Sequence, residues 1–200
     1  MKIEIRLGRE SDAESCLEIY RPLVETTAVS FELEPPDEDG MRARIARTLR
    51  THPWLVAEMG GTVEGYAYAG TFRHRPAYSW TCETTVYVRE RSRGRGVGRA
   101  LYAPLLACLD VQGFRTQVAV ITRPNPASIA LHRSLGFTRV GVFHDVGWKL
   151  GRWHDTEWLE RRRGGGPPGP IRVAAELAGT AEWAAALATT PEGPVGEGPR

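Results

Sequence analysis

Arg93-Gly94-Arg95-Gly96-Val97-Gly98 is the stretch that most narrows the folds open to this chain. An alternating run, Thr81 to Val88, precedes it, and a helical pattern, Leu101 to Leu109, follows it. Strand, basic glycine-rich loop and helix, in that order, build an anion cradle. Glycine lets the main chain approach a phosphate closely, and the N–H groups of the first helical turn point at it. Two familiar phosphate loops do not fit. A P-loop needs Gly-Lys-Ser/Thr at the helix start, where this chain has Gly98-Arg99-Ala100. A dinucleotide fingerprint needs Gly-x-Gly-x-x-Gly directly after an apolar strand, but Arg99 breaks the pattern and a polar run, Arg89 to Arg93, intervenes. What remains is Arg-x-x-Gly-x-Gly at Arg93, Gly96 and Gly98. Taken alone, it fits a structural glycine-rich turn as well as a ligand loop.

Two hundred residues allow one sizeable domain with a real core. A formal net charge of +2 gives no reason to expect a nucleic-acid protein. The arginines from Arg89 to Arg99 are confined to one loop and interleave with glycines, not aromatics, which argues against a nucleic-acid patch. Cys16, Cys82 and Cys108 are odd in number and widely spaced, so neither a disulfide framework nor a metal site is expected. They read as buried thiols in a reducing compartment. The N-terminus alternates and carries acid early, unlike a signal peptide, and no apolar run is long enough to span a membrane. The expectation is a cytoplasmic protein that works neither in a membrane nor on nucleic acid.

Along the chain, Ile3, Ile5 and Leu7 predict a first strand. Ser11-x-x-Glu14 has the form of a capping box, followed by Ala13, Cys16, Leu17, Tyr20 and Leu23 at helical spacing, with Pro22 predicting a kink or restart. Asp37 to Leu49 predicts a second helix after an extended linker. Trp54 to Glu58, the Gly60-Gly61 turn and Val63 to Ala69 predict a hairpin. In the run from Thr81 to Val88, one face carries Thr81, Glu83, Thr85 and Tyr87, and the other Cys82, Thr84, Val86 and Val88. Pro104 predicts a kink or a shifted hydrogen bond in the helix after the glycines. Gln117 to Ile121 is a short buried strand, and Asn125-Pro126 opens a helix that Gly136 closes. Phe137 to Val146 and His154 to Leu159 are final strands. After Arg163 the composition turns Gly/Pro-rich, so residues 1–163 are expected to form the domain and 164–200 a largely disordered extension with weak helical character from Ile171 to Leu187. The class is mixed α/β.

Asn125, Ser128 and His132 fall at i, i+3 and i+7 on one helical side, before Leu135-Gly136-Phe137. Three further segments stand in order around them: Pro53 to Glu58, Ala77 to Val88, and Gly151 to Asp155. With the glycine loop, this set resembles the GNAT acyltransferase superfamily, and within it the phosphinothricin and methionine sulfone/sulfoximine N-acetyltransferase family. The resemblance runs from about Ile3 to Leu159. It implies a mixed, mostly antiparallel sheet split by one splayed parallel strand pair and flanked by helices. It also implies acetyl-CoA as co-substrate, no metal, a small amino-acid-like amine as acceptor, and commonly a homodimer with contacts through the C-terminal strands.

Roles follow from the resemblance, residue by residue. Arg93, Gly94, Arg95, Gly96, Val97, Gly98 and Arg99 would cradle the pyrophosphate. Thr85, Val86 and Val88 would run beside the pantetheine, with a strand bulge near Thr85 or Val86 offering an oxyanion donor. Asn125 and Ser128 complete the cofactor side. Glu83 matches the family's catalytic base. His132 stands where the superfamily usually has a Tyr that protonates the departing thiolate, and would act as that acid or share base duty. Phe31, Arg73, Arg75 and Tyr78 match the substrate side, where guanidinium forks suit carboxylate or phosphinate oxygens. On pattern alone Glu83 reads first as an exposed strand carboxylate and His132 as a helix-surface or core histidine, and Arg73 and Arg75 read equally as solvated loop charges. His144 and His154 read as core or interface histidines. Cys82, facing away from Glu83, argues for direct transfer with no acyl-enzyme. Two rivals remain open: a transferase of the same fold acting on a peptide N-terminus, polyamine or antibiotic, and a non-catalytic acyl-CoA-binding module.

Overall fold

The computed structural model describes residues 2–191. Seven strands form one sheet in the order β1-β2-β3-β4-β5-β7-β6. In chain order they are β1 (Glu4–Leu7), β2 (Trp54–Met59), β3 (Thr62–Thr71), β4 (Thr81–Val88), β5 (Thr116–Thr122), β6 (Thr138–Lys149) and β7 (Arg152–Arg162). Neighbours pair antiparallel except β4 and β5, the one parallel pair among the described residues. The helices are α1 (Ala13–Thr26), α2 (Glu38–Leu49), α3 (Val97–Gln112), α4 (Pro126–Ser134), α5 (Ala174–Leu177) and α6 (Ala181–Leu187).

Strand alternation sorts the core into two layers. Trp54, Val56 and Tyr66 point to α1 and α2, packing on Cys16, Tyr20, Met41 and Ile45. Leu55, Ala57, Ala67, Ala69 and Cys82 point the other way, onto Leu101, Tyr102, Leu105 and Leu109 of α3. Burying such a leucine contributes about 1.5–3 kcal/mol relative to leaving it in water. The mixed α/β fold, with its mostly antiparallel sheet and single parallel pair, matches the expectation.

Local differences have physical causes. Asp12, not Ser11 with Glu14, organises the start of α1: its carboxylate accepts from the Arg9 amide at 2.7 Å and pairs with Arg6. Both internal prolines are accommodated without a break, since α1 runs through Pro22 and α3 through Pro104. The N-caps at Asp37 and Asn125 are as expected, accepting from Gly40 and Ser128 amides.

The chain after Arg163 returns to the domain. Gln112 at the end of α3 donates to the carbonyls of Thr51 and Arg172, and Ala174, Leu177, Trp183 and Ala186 bury against Cys108. The expectation of disorder therefore does not describe residues 171–187, whose apolar face covers α3; the final stretch of the expected disorder lies outside the described residues. All three cysteines are buried and unpaired. No helix among the described residues is long and apolar enough to cross a membrane.

Candidate active site

The basic run before α3 divides into anchors and a cradle. Arg91 and Ser92 bind the buried Glu64 carboxylate, and Arg89 reaches Glu18 at 2.9 Å. The Arg89 amide donates to the Glu64 carbonyl at 2.8 Å, so β3 fixes where the loop begins. Arg91 holds the Glu64 carboxyl below the usual glutamate range in spite of its burial. Beyond these anchors Gly94 and Gly96 both adopt left-handed backbone, with φ of 73° and 82°. Gly96 is the N-cap of α3, and among the described residues no side chain caps that helix. A glycine N-cap brings no side chain over the helix start, where the helix dipole favours an anion. A Cβ on Gly98 would stand 3.1 Å from Leu131, so glycine there lets α3 and α4 close together beside the loop.

The parallel ladder between β4 and β5 holds only for Thr81↔Thr116, Cys82↔Gln117 and Glu83↔Val118. Past Glu83 the strands part, which exposes the main chain of Thr84 to Val88 on that side. The β3–β4 register runs unbroken from Gly65↔Val88 to Thr71↔Cys82, so the expected bulge near Thr85 or Val86 is absent. Splaying supplies the open main chain that a bulge would otherwise supply.

Two hollows meet at this gap. One, a groove of about 730 Å³, is lined by Val86–Val88, Arg93, Gly94, Gly96–Arg99, Asn125 and Ser128. The other, a cavity of about 290 Å³, is lined by Phe31, Tyr20, Tyr68, Glu83, Thr85 and His132 among others. Val29, Val86, Tyr87, Asn125 and Ser128 belong to both. A long ligand anchored at the glycine loop has a continuous path to Glu83.

Burial lifts the Glu83 carboxyl above the ordinary glutamate value, against the pull of the Arg73 charge. A carboxylate so placed holds a proton more readily, which suits a base working near neutral pH. His132 is buried, with Nδ1 2.7 Å from the Ser128 carbonyl and Nε2 2.7 Å from the Tyr102 hydroxyl. Burial holds its imidazole below the usual histidine value. Glu157, buried beneath α4, draws Arg123, Arg133 and Arg139 within 3.6 Å or less and ties that helix to the sheet.

The sequence profile described as "Acetyltransferase (GNAT) domain" matches residues 5–158. The chain belongs to the GNAT acetyltransferase family. It is 39% identical to a phosphinothricin N-acetyltransferase of Streptomyces viridochromogenes, over 88% of this chain and 96% of that one. It is 38% identical to an L-methionine sulfoximine/L-methionine sulfone acetyltransferase of Salmonella typhimurium, over 78% of this chain and 92% of the relative. Among solved structures, a phosphinothricin acetyltransferase from Sinorhizobium meliloti in complex with AcCoA superposes with a TM-score of 0.81, at 38% identity, covering 84% of this chain and 94% of that one.

In this acetyltransferase most of the residues singled out from sequence converge on the two hollows. Arg93, Gly94, Gly96, Val97, Gly98, Arg99, Val86, Val88, Asn125 and Ser128 line the groove. Glu83, Thr85, His132 and Phe31 line the cavity. Arg95, Arg73, Arg75 and Tyr78 are absent from both linings. Arg95 is exposed on the loop. Arg73 lies 4.8 Å over the Phe72 ring, Tyr78 packs against the same ring, and Arg75 is exposed nearby. Of these only Arg73 acts on Glu83, through its charge. His154 is buried and donates Nε2–H to the Lys149 carbonyl, while exposed His144 pairs with Asp155.

Tyr20, Tyr68, Ser30, Glu32 and Tyr102 line the cavity without having been singled out. Part of the signal was there. Tyr66 and Tyr68 sit at period two in β3, and register places them opposite Tyr87 and Thr85 on the Glu83 face. Tyr20 and Tyr102 come from helices whose rotation about their axes only packing decides.

Proposed function

We propose that this acetyltransferase moves the acetyl group of acetyl-CoA directly to the primary amine of a small amino-acid-like substrate, of the phosphinothricin or methionine sulfone/sulfoximine class. The observation that carries the reading is the junction of the anion-loop groove with a tyrosine-walled cavity holding a buried carboxylate, at the gap between β4 and β5. The glycine loop and the start of α3, with its glycine N-cap, fit a diphosphate, and the parted main chain of Thr85, Val86 and Val88 fits an amide-bearing arm. Acetyl-CoA brings a thioester as the acyl donor.

Glu83 takes a proton from the substrate ammonium, whose pKa of roughly 8 leaves much of it charged at neutral pH. Main-chain amides of the open segment after Glu83 meet the charge that develops on the carbonyl oxygen. The nitrogen, cationic once it has attacked, sheds its second proton, and His132 takes it up and passes it to the departing thiolate. Arg73, whose charge reaches Glu83, draws the acid end of the substrate with Arg75 and Tyr78 of the same segment, and Phe31 roofs its side chain. Cys82 takes no part: it is buried on the α3 side and its thiol is pushed far up by burial.

The same reading places the transferase in residues 1–163, with 164–200 an addition to it. A homodimer through β6 and β7 fits the exposed Phe143, Val146, Trp148 and Trp153, an apolar patch on one hairpin. Work in the cytoplasm fits three unpaired thiols.

Steady-state rates with acetyl-CoA and phosphinothricin, methionine sulfone or a polyamine test the substrate class. Higher kcat/KM for the polyamine discards it. Wild-type turnover in Glu83→Gln discards the base.

A further inference from the structure

Tyr102 projects from α3 into the core below the gap, and its side chain is fully buried. A buried hydroxyl needs partners, and this one has two. Its oxygen lies 2.7 Å from His132 Nε2 and 3.2 Å from Thr84 Oγ1. Thr84 Oγ1 in turn donates to the Val118 carbonyl at 3.2 Å. Val118 is the last residue of β5 paired to β4, so this chain of hydroxyls ends where the strands part.

The proton positions follow from the partners. A carbonyl only accepts, so His132 Nδ1 carries a hydrogen toward Ser128. In the neutral imidazole Nε2 is then a bare lone pair, and the Tyr102 O–H must donate to it. When the imidazole takes a proton, Nε2–H donates instead, the Tyr102 hydrogen turns to Thr84, and Thr84 keeps its bond to Val118. Every donor is satisfied in both states with no heavy atom moving. Edge-on contacts of the imidazole with Tyr102 at 4.9 Å and Phe137 at 5.1 Å hold the ring plane.

We propose that Tyr102 is a positioning residue for His132, donating to Nε2 of the neutral imidazole in the tautomer that the Ser128 carbonyl sets and turning its hydroxyl to receive the imidazolium. The inference rests on the acid–base reading of His132 given above. Ionisable groups around the pair are Cys82 and Glu83 on β4 and Tyr68 on β3, all acting on the Tyr102 hydroxyl. Arg133, next on α4, is turned to Glu157.

The test uses the whole chain with ¹⁵N-labelled histidine, followed by NMR through a pH titration, beside steady-state kinetics. The expected wild-type spectrum shows His132 as a single Nδ1–H tautomer. In Tyr102→Phe both bonds to Nε2 are gone; the one to the imidazolium is charge-assisted and the stronger, so the His132 midpoint falls while the Ser128 carbonyl keeps the Nδ1–H tautomer. In Thr84→Val the neutral-state bond survives and the imidazolium loses its acceptor chain, so the midpoint falls. A packing defect that admits water would relieve burial and raise the midpoint, so a fall in both variants, larger without the Tyr102 hydroxyl, is not what such a defect produces. Kinetically, Tyr102→Phe lowers kcat by about tenfold to a hundredfold with KM for acetyl-CoA unchanged, less than the roughly 10²–10⁴ that an acid–base group itself supplies. Should Tyr102→Phe not fold, Thr84→Val alone still decides by the sign of its shift. An unchanged or raised midpoint in Tyr102→Phe, or a raised midpoint in Thr84→Val, overturns the role of Tyr102. Wild-type kcat in His132→Ala overturns the reading beneath it, a separate result.

Discussion

The buried ammonium of Lys149 donates to the main-chain carbonyl of Ser30 at 2.7 Å, joining the end of β6 to the loop that roofs the amine cavity. The next residue of that loop, Phe31, lies against Gly147 and 6.2 Å from the His154 ring. A Cβ on Gly147 would overlap the Phe31 ring. The β6–β7 hairpin thus holds the roof of the cavity in place.

Lys149→Met leaves a buried carbonyl without its donor, at a cost of about 1–3 kcal/mol. The expected result is a KM for the amine raised by up to about tenfold, equivalent to about 1.4 kcal/mol, with acetyl-CoA affinity unchanged. Gly147→Ala is expected to act in the same direction and more strongly, because it displaces the ring itself. Isothermal titration with acetyl-CoA beside amine kinetics separates the two sides of the site.

Glu83→Gln is expected to lower kcat by about 10²–10⁴ while acetyl-CoA still binds. It also raises stability at neutral pH. The folded state lifts the Glu83 pKa, so between the unfolded and folded values it binds more protons than the unfolded chain, and stability falls as pH rises through that window. Glutamine carries no such penalty. Melting curves are expected to show Tm higher in the variant at pH 7, with the pH-linked part of the gain vanishing below the ordinary glutamate pKa.

At the anion loop, Gly96→Ala forces a side chain onto a left-handed residue with φ of 82°, at roughly 1–2 kcal/mol. Gly98→Val presses on Leu131, whose Cδ2 lies 3.1 Å from the added Cβ, and overpacking of this kind costs about 1–3 kcal/mol. Both variants are expected to bind acetyl-CoA less tightly by calorimetry. Arg91→Ala is expected to weaken binding too, through the loss of its anchor on Glu64, although it is not among the groove-lining residues.

His52 stacks on Phe114 at 5.3 Å, and burial pulls its pKa from 6.5 down to about 4. The native state therefore binds fewer protons than the unfolded chain between those values. Its contribution is whole above pH 6.5 and is lost as pH falls toward 4, by about 3 kcal/mol. His132 adds a loss of the same sign. His52→Phe is expected to flatten the dependence of Tm on pH across that window.

Trp148 and Trp153 pair across the β6–β7 hairpin at 5.3 Å and are each 56% exposed. The double variant Trp148→Glu, Trp153→Glu is expected to sediment as a monomer where the wild-type chain sediments as a dimer. A wild-type chain that sediments as a monomer discards the dimer.

Much of the fold was legible from local pattern. Thr81 to Val88 alternates with its true limits, Asn125-Pro126 marks the start of α4, and the Gly60-Gly61 turn sets the β2–β3 register. The glycine loop between strand and helix likewise placed the anion end of the site, because main-chain freedom and helix polarity are properties of neighbours in sequence. Three things were not legible. Ser11 and Glu14 formed a plausible cap, yet Asp12 prevailed because Arg6 and the Arg9 amide reach it in space. Residues 171–187 fell in an extension that its Gly/Pro-rich flanks marked as disordered, but α3 offers Cys108 and Gln112 as partners. Tyr102 gave no signal at all, since its meaning lies in two distances to residues 18 and 30 positions away.

The chain's own order of residues thus determined its elements, its anion loop and the face on which Glu83 stands, since each depends on spacing along a few residues. Tertiary structure decided where β4 and β5 part, which tyrosines wall the cavity, and how the proton on His132 is held. Those depend on which distant atoms share a low-dielectric interior, where an unpartnered hydroxyl or imidazole is costly and a partnered one is held in a single arrangement.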